Sequence, residues 1–401
     1  MQVTLRSIEQ AASRIADDVV RTPTLRSRTL SAMTGAEVHV KFENLQFTGS
    51  FKDRGSANHL RTLARADASR GVVTLSAGNH AQGVAYHAGR MGIDATIVMP
   101  ASAPFTKVVN TRALGANVEQ FGATFAEAGQ RMAELREEKG YHFLPPFNDV
   151  AVIAGQGTVA LEMLADAPDL DVLLVPIGGG GLIAGMAVAA RSIAPSIEII
   201  GVQSMAYPTV ARERSTLVEP TGVKETLADG IAVKQPGDLT LPIIDKLVDD
   251  VVVVSEESIE RAITLYLEVE KTVAEGAGAV ALAAVLEQSG RFSGRRVGLV
   301  LSGGNIDSRL LASVLMRGLV RTDRVTTLRV TVGDVPGQLA PVVGTIASLG
   351  ANVVEIDHGR VDPMMARNVN IDIVIETRDS DHRNEVVAAL RHESYEVALL
   401  D

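Results

Sequence analysis

Four short segments carry residue types that bind anions or bond to carbonyl carbons. The first, Ser50-Phe51-Lys52-Asp53-Arg54-Gly55, opens a helical pattern. Ser50 is expected to cap that helix, which puts Lys52 in its first turn. An ammonium there opposes the helix dipole, so it loses its proton more easily and can form a Schiff base. A lone lysine is usually just solvated, and this segment by itself leaves that alternative open. The second segment, Ser76-Ala77-Gly78-Asn79-His80-Ala81-Gln82-Gly83, offers small residues and backbone N–H groups at a helix start, which suits a carboxylate. Asn79 adds a side chain that both donates and accepts. His80 reads as a residue that orients backbone, and an ordinary capped turn is the plain alternative for the loop. The third, Gly178-Gly179-Gly180-Gly181, lets backbone wrap an anion, and a phosphate is preferred to a merely flexible turn. The fourth, Ser302-Gly303-Gly304-Asn305, supplies a hydroxyl that can bond a ring nitrogen, although many such loops are only turns.

Other chemistries fit poorly. Gly179-x-Gly181-x-x-Ala184 loosely matches a dinucleotide fingerprint, but the next strand ends in Val202-Gln203-Ser204, without the acid that holds a ribose. No Ser/His/Asp or paired-carboxylate arrangement competes. His59, His80, His87 and His142 lack ligand spacing, so no metal is expected. The chain has no cysteine, which removes disulfides and thiolates. With 38 Lys and Arg against 48 Asp and Glu, its net charge of −10 disfavours nucleic acid. Apolar runs are too short for a membrane, and the N-terminus has no apolar run of signal-peptide length. The expectation is a cytoplasmic protein without membrane or nucleic-acid partners.

The elements that must position these loops alternate. Ser7-Ile8-Glu9-Gln10 reads as a capping box for a first helix. Strands are predicted near 38–42, 71–75, 94–99, 116–121, 171–177, 197–203, 250–254 and 296–301. Helices are predicted near 51–66, 79–91, 105–114, 124–138, 155–165, 181–193, 256–270 and 305–319. Alternation of this kind implies an α/β fold of mostly parallel sheet, with ligands at the carboxyl ends of the strands. From about residue 322 the order becomes β-α-β-β-α-β, a ferredoxin-like arrangement. Arg321-Thr322-Asp323 is the expected joint.

Taken together, the four segments resemble the fold-type-II pyridoxal-phosphate family, within it the threonine and serine dehydratases, over about residues 5–320. The resemblance implies a two-lobed, tryptophan-synthase-β-like catalytic domain over 1–321, with a smaller lobe at about 45–145. It implies pyridoxal 5'-phosphate as cofactor, with Lys52 bonded to it and Phe51 packed on its ring. Asn79 would bond the ring hydroxyl, Gly178, Gly179, Gly180 and Gly181 the phosphate, and Ser302 the pyridine nitrogen. Ser76, Ala77, Gly78, Asn79 and His80 would receive the carboxylate of an amino-acid substrate. Glu275 falls at a family position near the ring. The implied reaction converts L-threonine to 2-oxobutanoate and ammonia, and L-serine to pyruvate.

Two departures point away from the family's serine racemases. Ala77 stands where they carry a serine, and Gln203, Tyr207 and Thr209 stand where they carry acidic cation ligands. A serine-preferring dehydratase or racemase is the runner-up, and a non-catalytic amino-acid sensor the alternative of another class. The tail over 322–401 resembles an ACT domain through Asp334-Val335-Pro336-Gly337-Gln338-Leu339 and Gly350-Ala351-Asn352. That implies an amino-acid effector near Gly337 and Asn352, a branched-chain end product as in isoleucine biosynthesis, in a homodimer or tetramer. A pairing module without ligand is the alternative for this tail.

Overall fold

The computed structural model describes residues 2–214, 225–359 and 367–400. They form two compact units, Met1–Asp307 and Ser308–Asp401. In the first, strands β1 (Thr24–Ser27), β2 (Glu37–Phe42), β7 (Val172–Pro176), β8 (Glu198–Ser204), β9 (Asp250–Val254) and β10 (Arg296–Leu301) make one sheet in the order β1-β2-β10-β7-β8-β9. Only β1 runs antiparallel to its neighbour. A second, wholly parallel sheet, β5-β4-β3-β6, comprises β3 (Val72–Leu75), β4 (Ala95–Met99), β5 (Asn117–Gln120) and β6 (His142–Phe143). Every residue of β4 and β7 is buried, as expected for parallel strands covered on both faces.

The helix Lys52–Thr62 packs on Val150–Asp166, and that helix packs in turn on Gly181–Ile193. The second crossing is close because it is made through glycines. A Cβ on Gly185 would lie 2.2 Å from the Ile153 carbonyl oxygen and 2.6 Å from the Gly157 nitrogen. Two helix starts differ from expectation. Thr4, not Ser7, caps the first helix, and Ser7 completes the box from inside it. The helix expected from 155 begins at Val150, because the Asp149 carboxylate accepts the N–H groups of Ala151 and Val152 at 2.8 and 2.9 Å.

In the second unit, β11 (Val325–Gly333), β12 (Asn352–Gly359), β13 (Asn368–Glu376) and β14 (Glu396–Leu400) form an antiparallel sheet in the order β12-β13-β11-β14. Helices Leu339–Ser348 and Ser380–His392 cover it, burying Leu328, Val330, Ile371 and Ile373 with Val342, Ile346, Val386 and Leu390. This is the ferredoxin-like order. Helix Ser308–Arg321 groups with this unit and packs on β11.

Candidate active site

Three chain segments are zipped together at the carboxyl ends of β2 and β10. Phe51 N–H donates to the Ser302 carbonyl at 3.0 Å, Gly304 N–H to Gly49 at 2.9 Å, and Glu275 N–H to Gly303 at 3.1 Å. Ser50 and Gly303 pair as an isolated antiparallel bridge. Lys52 therefore opens its helix directly beside the Ser302 loop. Its Nζ donates to the Pro146 carbonyl at 2.7 Å and lies 5.0 Å from the Phe51 ring centre. Burial pulls the Lys52 amine down to about 8, although the Glu275 charge opposes the shift.

Ser50 does not cap this helix. Phe51 occupies the cap position with helical dihedrals and no side-chain cap, because Ser50 is held by its backbone against Gly303. The Ser50 hydroxyl is buried without a partner among the described residues. The rest of the motif is structural. The Asp53 carboxylate accepts from the Thr48 N–H at 3.0 Å and from the Thr48 hydroxyl, closing the loop. Arg54, fully buried, donates from Nε and Nη2 to Glu43 at 2.7 Å each. From Nη1 and Nη2 it also donates to Glu162 at 2.7 Å each. Lys41 also donates to Glu162, at 2.6 Å. Gly55 lies under Gln156, whose Nε2 would be 2.3 Å from any Cβ there. Sequence reasoning missed this ionic floor; its one signal was Arg54 within the lysine motif.

The Asn79 loop faces the same point. Asn79 Nδ2 donates to Glu275 Oε1 at 2.6 Å, and its Oδ1 accepts from Asn305 Nδ2 at 2.7 Å. Burial, reinforced by the Asp229 charge, pushes the Glu275 carboxyl up to about 7 against the Asn79 hydrogen bond. Gly78 stands at the cap position of the helix Asn79–Met91 with no side chain capping it, so the first N–H groups of the helix are left for an anion. Ser76 Oγ accepts the Gly78 N–H at 3.3 Å and fixes the turn. Ala77 is half-buried beside it. The His80 side chain is turned to backbone: its Nε2 donates to the Leu144 carbonyl at 3.1 Å, and burial drops its pKa to about 3, leaving it neutral.

Residues 178–181 join β7 to the helix Gly181–Ile193. The Gly179 carbonyl accepts from Thr240 Oγ1 at 2.6 Å and from the Gly237 N–H at 3.2 Å. Among the described residues no group accepts from the N–H of Gly178, Gly179 or Gly180, so these donors remain for an external anion. A Cβ at Gly179 would stand 2.4 Å from the Phe147 ring. Gly180, at φ +93°, would strike Thr240 and Ile244 at 2.8 Å. Only glycine fits at either position. Ser302 Oγ is buried, with Ala277 O at a long 3.4 Å as its partner, so the hydroxyl has capacity to spare. A phosphate, an aldehyde and a ring carrying a hydroxyl and a nitrogen each find a suitable group here.

Gln203 is an amide whose capacity is spent. Its Oε1 accepts from the N–H groups of Val210 and Ala211 at 3.0 Å each, and its Nε2 reaches Thr209 Oγ1 at 3.2 Å. Among the described residues, no group of three or more His, Asp or Glu converges as a metal site. Gly337 and Asn352 lie in the second unit, Gly337 at φ +92° in the turn before helix Leu339–Ser348 and Asn352 opening β12.

The match to known proteins follows this geometry: residues 15–303 fit the family of pyridoxal-phosphate dependent enzymes. The chain belongs to that family and uses pyridoxal 5'-phosphate. Over 99% of its length it is 45% identical to the whole of an L-threonine ammonia-lyase from Thermotoga maritima. A catabolic L-threonine dehydratase of Escherichia coli is 44% identical over 77% of this chain and 94% of its own. Among solved structures, maize serine racemase is similar at a TM-score of 0.73 and 36% identity, covering 80% of this chain and 99% of its own.

Proposed function

We propose that the protein is an L-threonine ammonia-lyase that releases 2-oxobutanoate and ammonia from L-threonine, and pyruvate and ammonia from L-serine. The observation that carries this reading is the half-buried Lys52, whose amine donates to the Pro146 carbonyl beside the Ser302 loop and whose pKa is drawn down to about 8 by desolvation. Bound pyridoxal phosphate supplies an aldehyde for amines and an electron sink for the substrate α-carbon. Lys52 Nζ would be the nucleophile toward that aldehyde. The same amine, once free, would be placed to take the substrate α-proton, and its lowered pKa suits both tasks near neutrality. Gly178–Gly181 would hold the phosphate through their backbone N–H groups, and Asn79 the ring hydroxyl. Residues 76–80 would orient the substrate carboxylate at the helix start. Ser302 offers the ring nitrogen a hydroxyl, not the anion that would keep a proton there, which favours loss of the β-hydroxyl over transamination.

The likeness to a serine racemase raises a second reading, which two positions oppose. Ala77 has no proton to give the second face of the α-carbon, and Gln203 spends its amide on capping a helix. A pure sensor would need no lysine with a lowered pKa beside these loops. The second unit we read as an ACT-like regulatory module that binds an amino acid near Gly337 and Asn352, in a homo-oligomer. The Thermotoga relative aligns over 99% of this chain, so its alignment takes in the second unit, whereas the catabolic enzyme aligns over 77%. Assay of 2-oxo-acid release from L-threonine, L-serine and their D-forms tests the activity. Release from L-threonine above the others supports it, and racemisation without release contradicts it.

A further inference from the structure

Asn305 takes no role in the chemistry above, yet it sits between two parts of the site. Its Nδ2 spends one hydrogen on Asn79 Oδ1 at 2.7 Å and the other on the Thr48 carbonyl at 2.7 Å. Thr48 is itself held by Asp53 on the lysine helix. The room for this arrangement comes from two glycines. A Cβ on Gly49 would lie 2.9 Å from Asn305 Oδ1, and one on Gly303 would lie 2.3 Å from Glu275 Oε1 and 3.2 Å from Asn79 Nδ2. The Asn79 amide is thus gripped at both ends, its oxygen taking a proton from Asn305 and its nitrogen giving one to Glu275.

An amide has two orientations of similar shape, and only hydrogen bonding separates them. We infer that Asn305 is a positioning residue that fixes the orientation of Asn79, so that its second Nδ2 hydrogen would be left to donate to the ring hydroxyl of the cofactor. The inference rests on the reading of Asn79 as the group that bonds that hydroxyl. Flipped, Asn79 would set its oxygen against the Glu275 carboxylate and offer the ring hydroxyl an acceptor in place of a donor. Asn305→Asp is nearly isosteric and drives that flip, because a carboxylate oxygen then faces Thr48 O and Asn79 Oδ1, both acceptors.

The test is a double-mutant cycle on the full-length protein with Asn305→Ala, Asn79→Ala and the pair. It is read by the dissociation constant of pyridoxal phosphate from its visible absorbance, and by kcat and KM for L-threonine. Each single variant is expected to weaken cofactor binding on the order of tenfold. The pair should be no worse than Asn79→Ala alone, since Asn305 then has nothing to orient. Asn305→Asp should weaken the cofactor more than Asn305→Ala, the order expected of an orienting group and not of a space-filler. If Asn305→Ala keeps its full effect in the Asn79→Ala background, Asn305 merely braces the Thr48 loop and the inference falls while the reading of Asn79 stands. If Asn79→Ala binds cofactor normally, that reading falls, and the inference with it.

Discussion

Replacing Arg54 by methionine keeps most of the side-chain volume and removes the charge beneath the lysine loop. Glu43, fully buried, then loses both of its 2.7 Å guanidinium bonds and keeps only Thr22, Gln46 and the nearby Lys41 charge. Burial alone would raise the Glu43 pKa, yet Arg54 holds it below the ordinary value, so the carboxylate is ionised in the native protein. Breaking such a pair leaves an uncompensated buried charge, which costs about 3–5 kcal/mol. Glu162 suffers less, because Lys41 still reaches it at 2.6 Å. Urea denaturation followed by circular dichroism should show a loss of that size at pH 7, partly recovered by adding Glu43→Gln. The sign with pH follows from the depressed Glu43 pKa. The contribution of the pair is full above the unfolded value and fades as pH falls through the folded one, so wild type and variant converge in acid. A loss below about 1 kcal/mol, as for an exposed pair, would refute the reasoning.

Stopped-flow uptake of pyridoxal phosphate by the cofactor-free protein should quicken with rising pH and level off above about 8, following the neutral Lys52 amine. A midpoint near the ordinary lysine value would contradict the buried-amine reading. Gly179→Ala would drive a methyl into the Phe147 ring 2.4 Å away, and should weaken cofactor binding by about tenfold or more in an absorbance titration. Ala77→Ser should add serine racemisation, measured by chiral chromatography; brisk racemisation by the unaltered protein would sink that idea. Calorimetry of the full chain with isoleucine or valine should show binding that Asn352→Ala abolishes, and silence with both would leave the second unit as a pairing module.

Most strands and helices were legible because their patterns are local: alternation in β11, amphipathic faces in Asn79–Met91, apolar runs in β7 and β10; the short β1 and β6, of four and two residues, were not expected. The helix Gly276–Glu287 was not. Its residues from Gly276 to Val285 are all buried, so it has no polar face to mark a period, and the alanine-rich run Ala277–Ala284 reads as no element in particular. The ionic floor was hidden for another reason. Arg54, Glu43, Glu162 and Lys41 come from four separate elements, and sequence spacing carries no trace of their meeting. The chemistry-bearing loops themselves were readable as motifs, but the expected Ser50 cap failed. A pairing with Gly303, some 250 residues away, took the backbone that a local rule assigns to capping.

Lys52→Ala in the full-length protein tests the proposed chemistry most directly, with spectrum and turnover read on the same sample. The expected result is loss of the visible absorbance band that borohydride removes in the native enzyme, together with loss of essentially all 2-oxobutanoate release from L-threonine. A variant that keeps both the borohydride-sensitive band and the turnover would place the reactive amine elsewhere and contradict the assignment of Lys52.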